Sequence, residues 1–356
     1  MREARDLAAR GVQAYRERLP GIETVAGPGA GMVYFLTPDY DRPAGGLRVF
    51  YRHVDTLNAA GIGAAILHSK PGFSCSWFEH TTRIADVRST RIGTGDLLVV
   101  PEVYAALLPS LPAGVRHVIF NQNQYLTLRR EADAVARHYA TSPDLLAVLT
   151  VSRAAADMLR YGFPGRDVRI VRNAVDPATF HPGGPPSARV LTYMPRRGKD
   201  DAELALRLLR SRGALEGWEI RPLDGLSQAE IAAALRESSV FLALSYQEGF
   251  GLPAVEAMAC GNLVVGYDGI AGAEFFLPEL SRAVPAADVL ALARAVEDVL
   301  ERERREPGFC RATGLAASGF VLDAYAPERG RDDLLAIFGE LLDGHPAGAE
   351  RSVAHA

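Results

Sequence analysis

Short, unbroken apolar runs alternate with longer segments of helical spacing along this chain. GMVYFLTP (31–38), AAILHS, DLLVVPE, RHVIFNQ, LLAVLTVS and VRIVRNAVD are rich in Val, Ile and Leu without a polar residue at every second place. Strands covered on both faces of a parallel sheet read this way. The stretch Phe180–Ala188, FHPGGPPSA, is crowded with proline and glycine and can continue neither a helix nor a central strand. After it the alternation restarts with RVLTYMP, a helix over about 200–210, WEIRPL, a helix over 227–237, VFLALSY, a helix over 253–260 and NLVVGYD. The pattern predicts an α/β protein of two similar units in tandem, each a sheet whose strand ends hold ligands. We place the N-terminal domain at 1–181 and the C-terminal domain at 182–325. The tail PERGRDDLLAIFGELLDG, within 326–346, carries Leu334, Phe338, Leu341 and Leu342 at helical spacing. It reads as a helix packed on its own domain or crossing back to the N-terminal one.

Composition narrows the classes. A chain of 356 residues exceeds what one core usually organises, and a net charge of −4 gives no footprint for a nucleic-acid backbone. Cys75, Cys260 and Cys310 are widely spaced, with neither a metal-ligand spacing nor an even disulfide set. The first 20 residues are charged and amphipathic rather than signal-like, and no run reaches membrane-spanning length. These features predict a cytoplasmic location, compatible with peripheral contact with a membrane.

The most informative stretch is SYQEGFGLPAVEAMACGNLVVGYD, Ser245–Asp268, in which seven residues separate Glu248 from Glu256. A strand ends near Ser245, Gly249 and Gly251 supply a turn with access to positive φ, Pro253 suits a first helical position and Gly261 a stop. The resulting helix N-terminus offers free N–H groups and a positive dipole end to an anion, above all phosphate. Glu256, one turn in, must face sideways toward hydroxyl donors such as a ribose diol, and Glu248 toward a second polyol. Two polyols bridged by phosphates make a nucleotide-sugar. A helix-stabilising Glu256 and a solvated Glu248 form the plainer alternative.

EGFGLPAVEAMACG resembles the E-x7-E signature of the retaining glycosyltransferases of the GT-B fold, the group 1 or family 4 type. VRNAVDPATFHP, Val171–Pro182, is similar to the same family's N-G-V-D-x-x-x-F-x-P segment, with Ala174 where glycine is usual. The resemblance implies two Rossmann-like domains facing across a cleft, and transfer of a sugar from a nucleoside-diphosphate sugar to an acceptor hydroxyl with retention. It implies no cofactor and no metal. Glu248 would bind donor-sugar hydroxyls, backbone N–H groups of the turn Gly249, Phe250, Gly251 and Leu252 the sugar and distal phosphate, and Glu256 the ribose. Arg196 and Lys199 in YMPRRGKDD, with Arg197 beside them, are the candidates for clamping the diphosphate, although the family's Arg–Lys spacing is longer.

In the N-terminal half, Gly45 and Gly46 fit the family's glycine loop after the first strand, followed by Arg48. The triplet Asp39-Tyr40-Asp41 has the D-x-D form that binds metal in glycosyltransferases of the other major fold, and one such triplet is expected by chance. Asn121, Gln122 and Asn123 stand at a strand end where many relatives have a histidine. They suit either acceptor hydroxyls or the tying of loops. His68, Trp77 and His80 either line an acceptor pocket or pack internally. The acceptor is a glycan, a lipid-linked glycan or a small molecule. A non-catalytic nucleotide-sugar or glycan binder and a nucleotide-sugar 2-epimerase are the rival readings. A nicotinamide dehydrogenase fits less well, because no strand is followed by G-x-G-x-x-G.

Overall fold

The computed structural model describes residues 19–184, 189–196 and 198–343. Arg197, residues 1–18 of the amphipathic start, 185–188 of the proline-rich stretch and 344–346 of the tail lie outside the described residues. The chain divides into two compact units, Met1–Val171 with Arg331–Ala356, and Arg172–Gly330.

The first unit runs β1 (Val33–Leu36), α1 (Gly45–Ala59), β2 (Ala64–His68), β3 (Ile84–Asp86), β4 (Leu97–Pro101), β5 (His117–Asn121), α2 (Ala132–Thr141), β6 (Leu145–Thr150), α3 (Arg153–Gly162) and β7 (Val168–Ile170). Its strands form one parallel sheet in the order β3-β2-β1-β4-β5-β6-β7. β1, β2, β4 and β5 are buried along their whole length, as their unbroken apolar runs require. The run VRIVRNAVD is strand only to Ile170; from Arg172 the chain belongs to the second unit, where Val175 N–H donates to the Tyr325 carbonyl at 2.9 Å.

The second unit continues with β8 (Val190–Tyr193), α4 (Lys199–Ser211), β9 (Glu219–Pro222), α5 (Gln228–Arg236), β10 (Val240–Ala243), α6 (Leu252–Ala259), β11 (Leu263–Gly266), β12 (Ser281–Ala283), α7 (Val289–Arg305) and α8 (Phe309–Ala324). Its parallel sheet has the order β12-β11-β10-β8-β9. Local chemistry sets the helix starts. Ser227 and Glu230 form a reciprocal capping box at α5, and Asp288 accepts from Ala291 N–H at the head of α7.

The last helix, α9 (Pro327–Asp343), belongs to the first unit from Arg331 onward. There Phe338 is fully buried and stacks on Phe35 of β1 with ring centroids 5.7 Å apart. Burying such a side chain stabilises by about 1.5–3 kcal/mol. Arg116 donates to the Leu341 carbonyl and Arg169 to Glu340, so polar ties flank the apolar seam. No helix among the described residues is long and apolar enough to cross a membrane.

Both sheets reverse their direction of growth once. β1 has β2 on one side and β4 on the other; β8 has β9 on one side and β10 on the other. Loops leaving the carboxyl ends of two such strands diverge to opposite faces and leave a crevice where ligands of parallel sheets bind.

Candidate functional site

The loops after β8 and β10 border the crevice of the second unit. Gly251, at φ +102°, caps α6 in a conformation other residues rarely adopt, and the helix begins at Leu252, one residue before the expected Pro253. Pro253 then stands second, where its missing N–H is still harmless. Amides ahead of Ala254, whose N–H donates to the Gly251 carbonyl, precede the first intrahelical bond. Phe250 is buried with its ring against Phe275 and Tyr325, so only its backbone can meet a ligand.

Glu248 is held from behind. Its N–H donates to the Gly269 carbonyl at 3.0 Å, and Gly269 lies so close that a Cβ there would stand 3.1 Å from the glutamate Cβ. The half-exposed carboxylate lines a small cavity of about 40 Å3 with Met194, Ser245, Gly251, Asp268 and Gly269. Glu256 is also half-exposed, on the next turn of α6.

The loop after β8 runs alongside. A Cβ on Gly198 would come within 2.5 Å of the Leu244 carbonyl, which brings this loop against the end of β10. Arg196 and Lys199 are both exposed, and Lys199 pairs with Glu203 at 3.6 Å across one turn of α4. Such exposed pairs contribute little and release the lysine at small cost. One fastening was not visible in the sequence: Asp201 Oδ2 accepts from the Tyr246 hydroxyl at 2.6 Å and the Tyr267 hydroxyl at 2.7 Å. That carboxylate joins the head of α4 to the loops after β10 and β11, and the hydrogen bond it accepts pushes the Tyr246 hydroxyl up to about 12.

In the first unit Gly45 and Gly46 are the opening residues of α1 rather than a turn before it, with Ala44 as the cap. Gly46 is closely approached: a Cβ there would stand 3.0 Å from the Gln122 side-chain oxygen, and Gln122 Nε2 donates to the Gly46 carbonyl at 3.1 Å. Gln122 is fixed in turn by buried Glu102, whose Oε2 accepts its backbone N–H at 3.0 Å. Burial pushes the Glu102 carboxyl up to about 7, against the lowering effect of that hydrogen bond. Nothing in PEVY marks this glutamate in the sequence as a buried anchor. Asn121 donates to Thr127, and Asn123 accepts from Tyr125 N–H. Gln122 thus ties two distant segments together, while Asn121 and Asn123 brace their own loop. His68 is fully buried, whereas Trp77 packs on Phe78 and His80 bonds the Cys75 carbonyl.

Residues 219–311 match the family model described as "Glycosyl transferases group 1". The matched segment contains Glu248, the glycine cap and Glu256. No curated protein sequence matches the chain. Among solved structures, sucrose-phosphate synthase from Thermosynechococcus elongatus is similar with a TM-score of 0.69 at 15% identity, over 88% of this chain and 100% of that one. HepE from Anabaena, in complex with UDP and glucose, has a TM-score of 0.62 at 14% identity over 88% and 100%. The lipopolysaccharide outer core galactosyltransferase WaaB has 0.63 at 12% over 87% and 99%. At these identities the likeness establishes the fold, two Rossmann-like domains of the GT-B type.

Proposed function

We propose that the chain is a glycosyltransferase that moves a sugar from a nucleoside-diphosphate sugar to an acceptor hydroxyl, with retention and without a metal. The observation that carries this reading is the glycine-capped helix α6, with Glu248 pinned on one side of its N-terminus and Glu256 one turn into it, inside the group 1 segment. In this reading Glu248 accepts hydroxyls of the donor sugar and Glu256 those of the ribose. The amides of 250–252 hold the distal phosphate. Arg196 and Lys199, with Arg197, neutralise the diphosphate as it leaves, a stabilisation that grows with charge in the transition state. The crystallised neighbour HepE holds UDP and glucose, which makes UDP the first nucleotide to test here.

The test is a thermal-shift and product-release screen of the purified chain against UDP-, GDP-, ADP- and dTDP-sugars, with and without EDTA. A donor that raises Tm by binding the native state, with nucleoside diphosphate release indifferent to EDTA, is the expected result. No shift with any nucleotide-sugar would overturn the donor site. Release abolished by EDTA would remove metal independence alone.

A further inference from the structure

The first unit contains a larger cavity, about 450 Å3, lined by Asp39, Ser69, Lys70, Arg88 and Tyr104 among others. Small-molecule sites span roughly 300–1,000 Å3. Asp39, just past the end of β1, has a side chain only 8% exposed. Its Oδ1 accepts from His68 Nδ1 at 3.0 Å and from Ser69 N–H at 3.1 Å. Among the described residues Oδ2 has no hydrogen-bond partner.

The donors fix a direction through the relay. His68 Nδ1–H is shared between the Asp39 carboxylate and the Thr37 carbonyl at 3.2 Å, so Nε2 is an acceptor, and the Tyr51 hydroxyl donates to it at 2.8 Å. The Tyr51 oxygen accepts from Cys75 N–H at 3.3 Å. A mostly buried carboxylate is thus oriented from behind and left with one open oxygen at the cavity, the arrangement that takes ligand hydroxyls. Glu23, also at the cavity, is already paired with Arg91 at 2.7 Å. Lys70 and Arg88 are exposed on the loops after β2 and β3 and bring two positive charges to the same wall.

We propose that this cavity binds an anionic polyol, a sugar bearing phosphate or carboxylate, with Asp39 taking its hydroxyls and Lys70 and Arg88 its charge. The proposal rests on the glycosyl-transfer reading in one respect: there the bound molecule is the acceptor. Asp39 touches the ligand; His68 and Tyr51 are positioning residues.

The experiment titrates the full chain, alone and with UDP, with the 6-phosphates of glucose, mannose, galactose and fructose and with glucuronate. Each is set against its neutral parent sugar and against inorganic phosphate. At least one anionic sugar should bind ten-fold more tightly than both references. Lys70→Ala with Arg88→Ala should erase its advantage over the neutral sugar. Asp39→Asn should erase its advantage over phosphate with Tm unchanged, and Tyr51→Phe should weaken sugar but not phosphate binding. No preference for any anionic sugar overturns the proposal, and so does equal binding of inorganic phosphate, which would leave an anion site without polyol recognition. A nucleotide-sugar that still raises Tm then shows that only the cavity assignment failed. Anionic-sugar binding without any nucleotide response would remove the transfer reading and leave the cavity assigned.

Discussion

In the second unit the candidate site residues lie within one stretch, Ser245–Asp268, and on the loop after β8 beside it. In the first unit the candidate residues come from five separated places and form two hydrogen-bonded groups, Asp39 with His68, and Glu102 with Gln122 and Gly46. The charges differ as well. Arg196 and Lys199 stand in solvent, while Glu102 and His68 are buried and held by neighbours. An exposed cation suits a diphosphate that arrives and departs. A carboxylate fixed by buried partners suits a site whose shape is decided before the ligand comes. The contrast teaches that one architecture can carry a candidate site as a continuous motif or as scattered residues, and the motif is the more open to sequence reading.

The largest expected effect tests the motif. Glu248→Gln keeps the backbone bond from residue 248 to the Gly269 carbonyl, so the loop should hold. Removing a single preorganised partner of the transition state costs about 100-fold or more in rate. Product release should therefore fall by about that factor with Tm unchanged. Loss of Tm together with rate would mean that Glu248 supports the loop and not the ligand.

Much of the second unit's candidate site was legible because the chain writes it consecutively: strand end, glycine cap, proline and Glu pair within Ser245–Asp268. The strands also followed from their apolar runs, except β3 and β12, three-residue strands at the sheet edges whose IAD and SRA mix polar and apolar residues. The first unit was legible only in part: Gly46, His68 and Gln122 stood out as candidates, but their bonds to Asp39 and Glu102 did not. Asp39-Tyr40-Asp41 looked like a chance triplet, and its two carboxylates do separate work. Asp39 meets His68, 29 residues away, while Asp41 accepts from the Ser76 N–H and hydroxyl, both at 2.7 Å. Glu102 is unremarkable in sequence because its character comes from burial, which its neighbours in the chain do not record.

Acidification sharpens the comparison, because the buried titratable groups named below all lie in the first unit. His117 Nδ1–H donates to the Val115 carbonyl, so its Nε2 accepts from His138 Nε2–H at 2.8 Å. Burial and the neighbouring ring hold His138 down at about 4 from an ordinary 6.5. Between those values the unfolded chain takes a proton that the native state refuses, and stability falls as pH falls. Glu102 acts with the opposite sign. From an ordinary 4.5 to about 7 the native state holds a proton that the unfolded chain has lost, so acidification adds stability. Buried His53, held down at about 3 by desolvation, and His117, also lowered by burial, act in the same direction as His138. Between pH 6.5 and 5 Glu102 therefore offsets only part of the histidine effect, and the parent still loses stability on acidification. Glu102→Gln removes that offset, about 2 kcal/mol over the interval at ~1.4 kcal/mol per pH unit. Hydrogen exchange of β5 and β6 amides, corrected for intrinsic rate, should show a loss steeper by that amount in the variant than in the parent. Equal profiles would mean that Glu102 is ionised in the native state.

The smallest effect concerns Gly46, and a single substitution would conceal it. Alanine in place of glycine favours a helix by up to about 1 kcal/mol. The new Cβ, however, meets the Gln122 amide at 3.0 Å and pushes aside its bond to the Gly46 carbonyl, worth about 1 kcal/mol. Gly46→Ala should then change stability by less than about 1 kcal/mol. In a Gln122→Ala background the clash is gone, and the same change should be stabilising. The coupling between the two sites, about 1 kcal/mol in a double-mutant cycle, is the quantity to measure. Additive effects would mean that the glutamine does not hold the head of α1, and the constellation in the first unit would lose the link that joins Glu102 to the glycine pair.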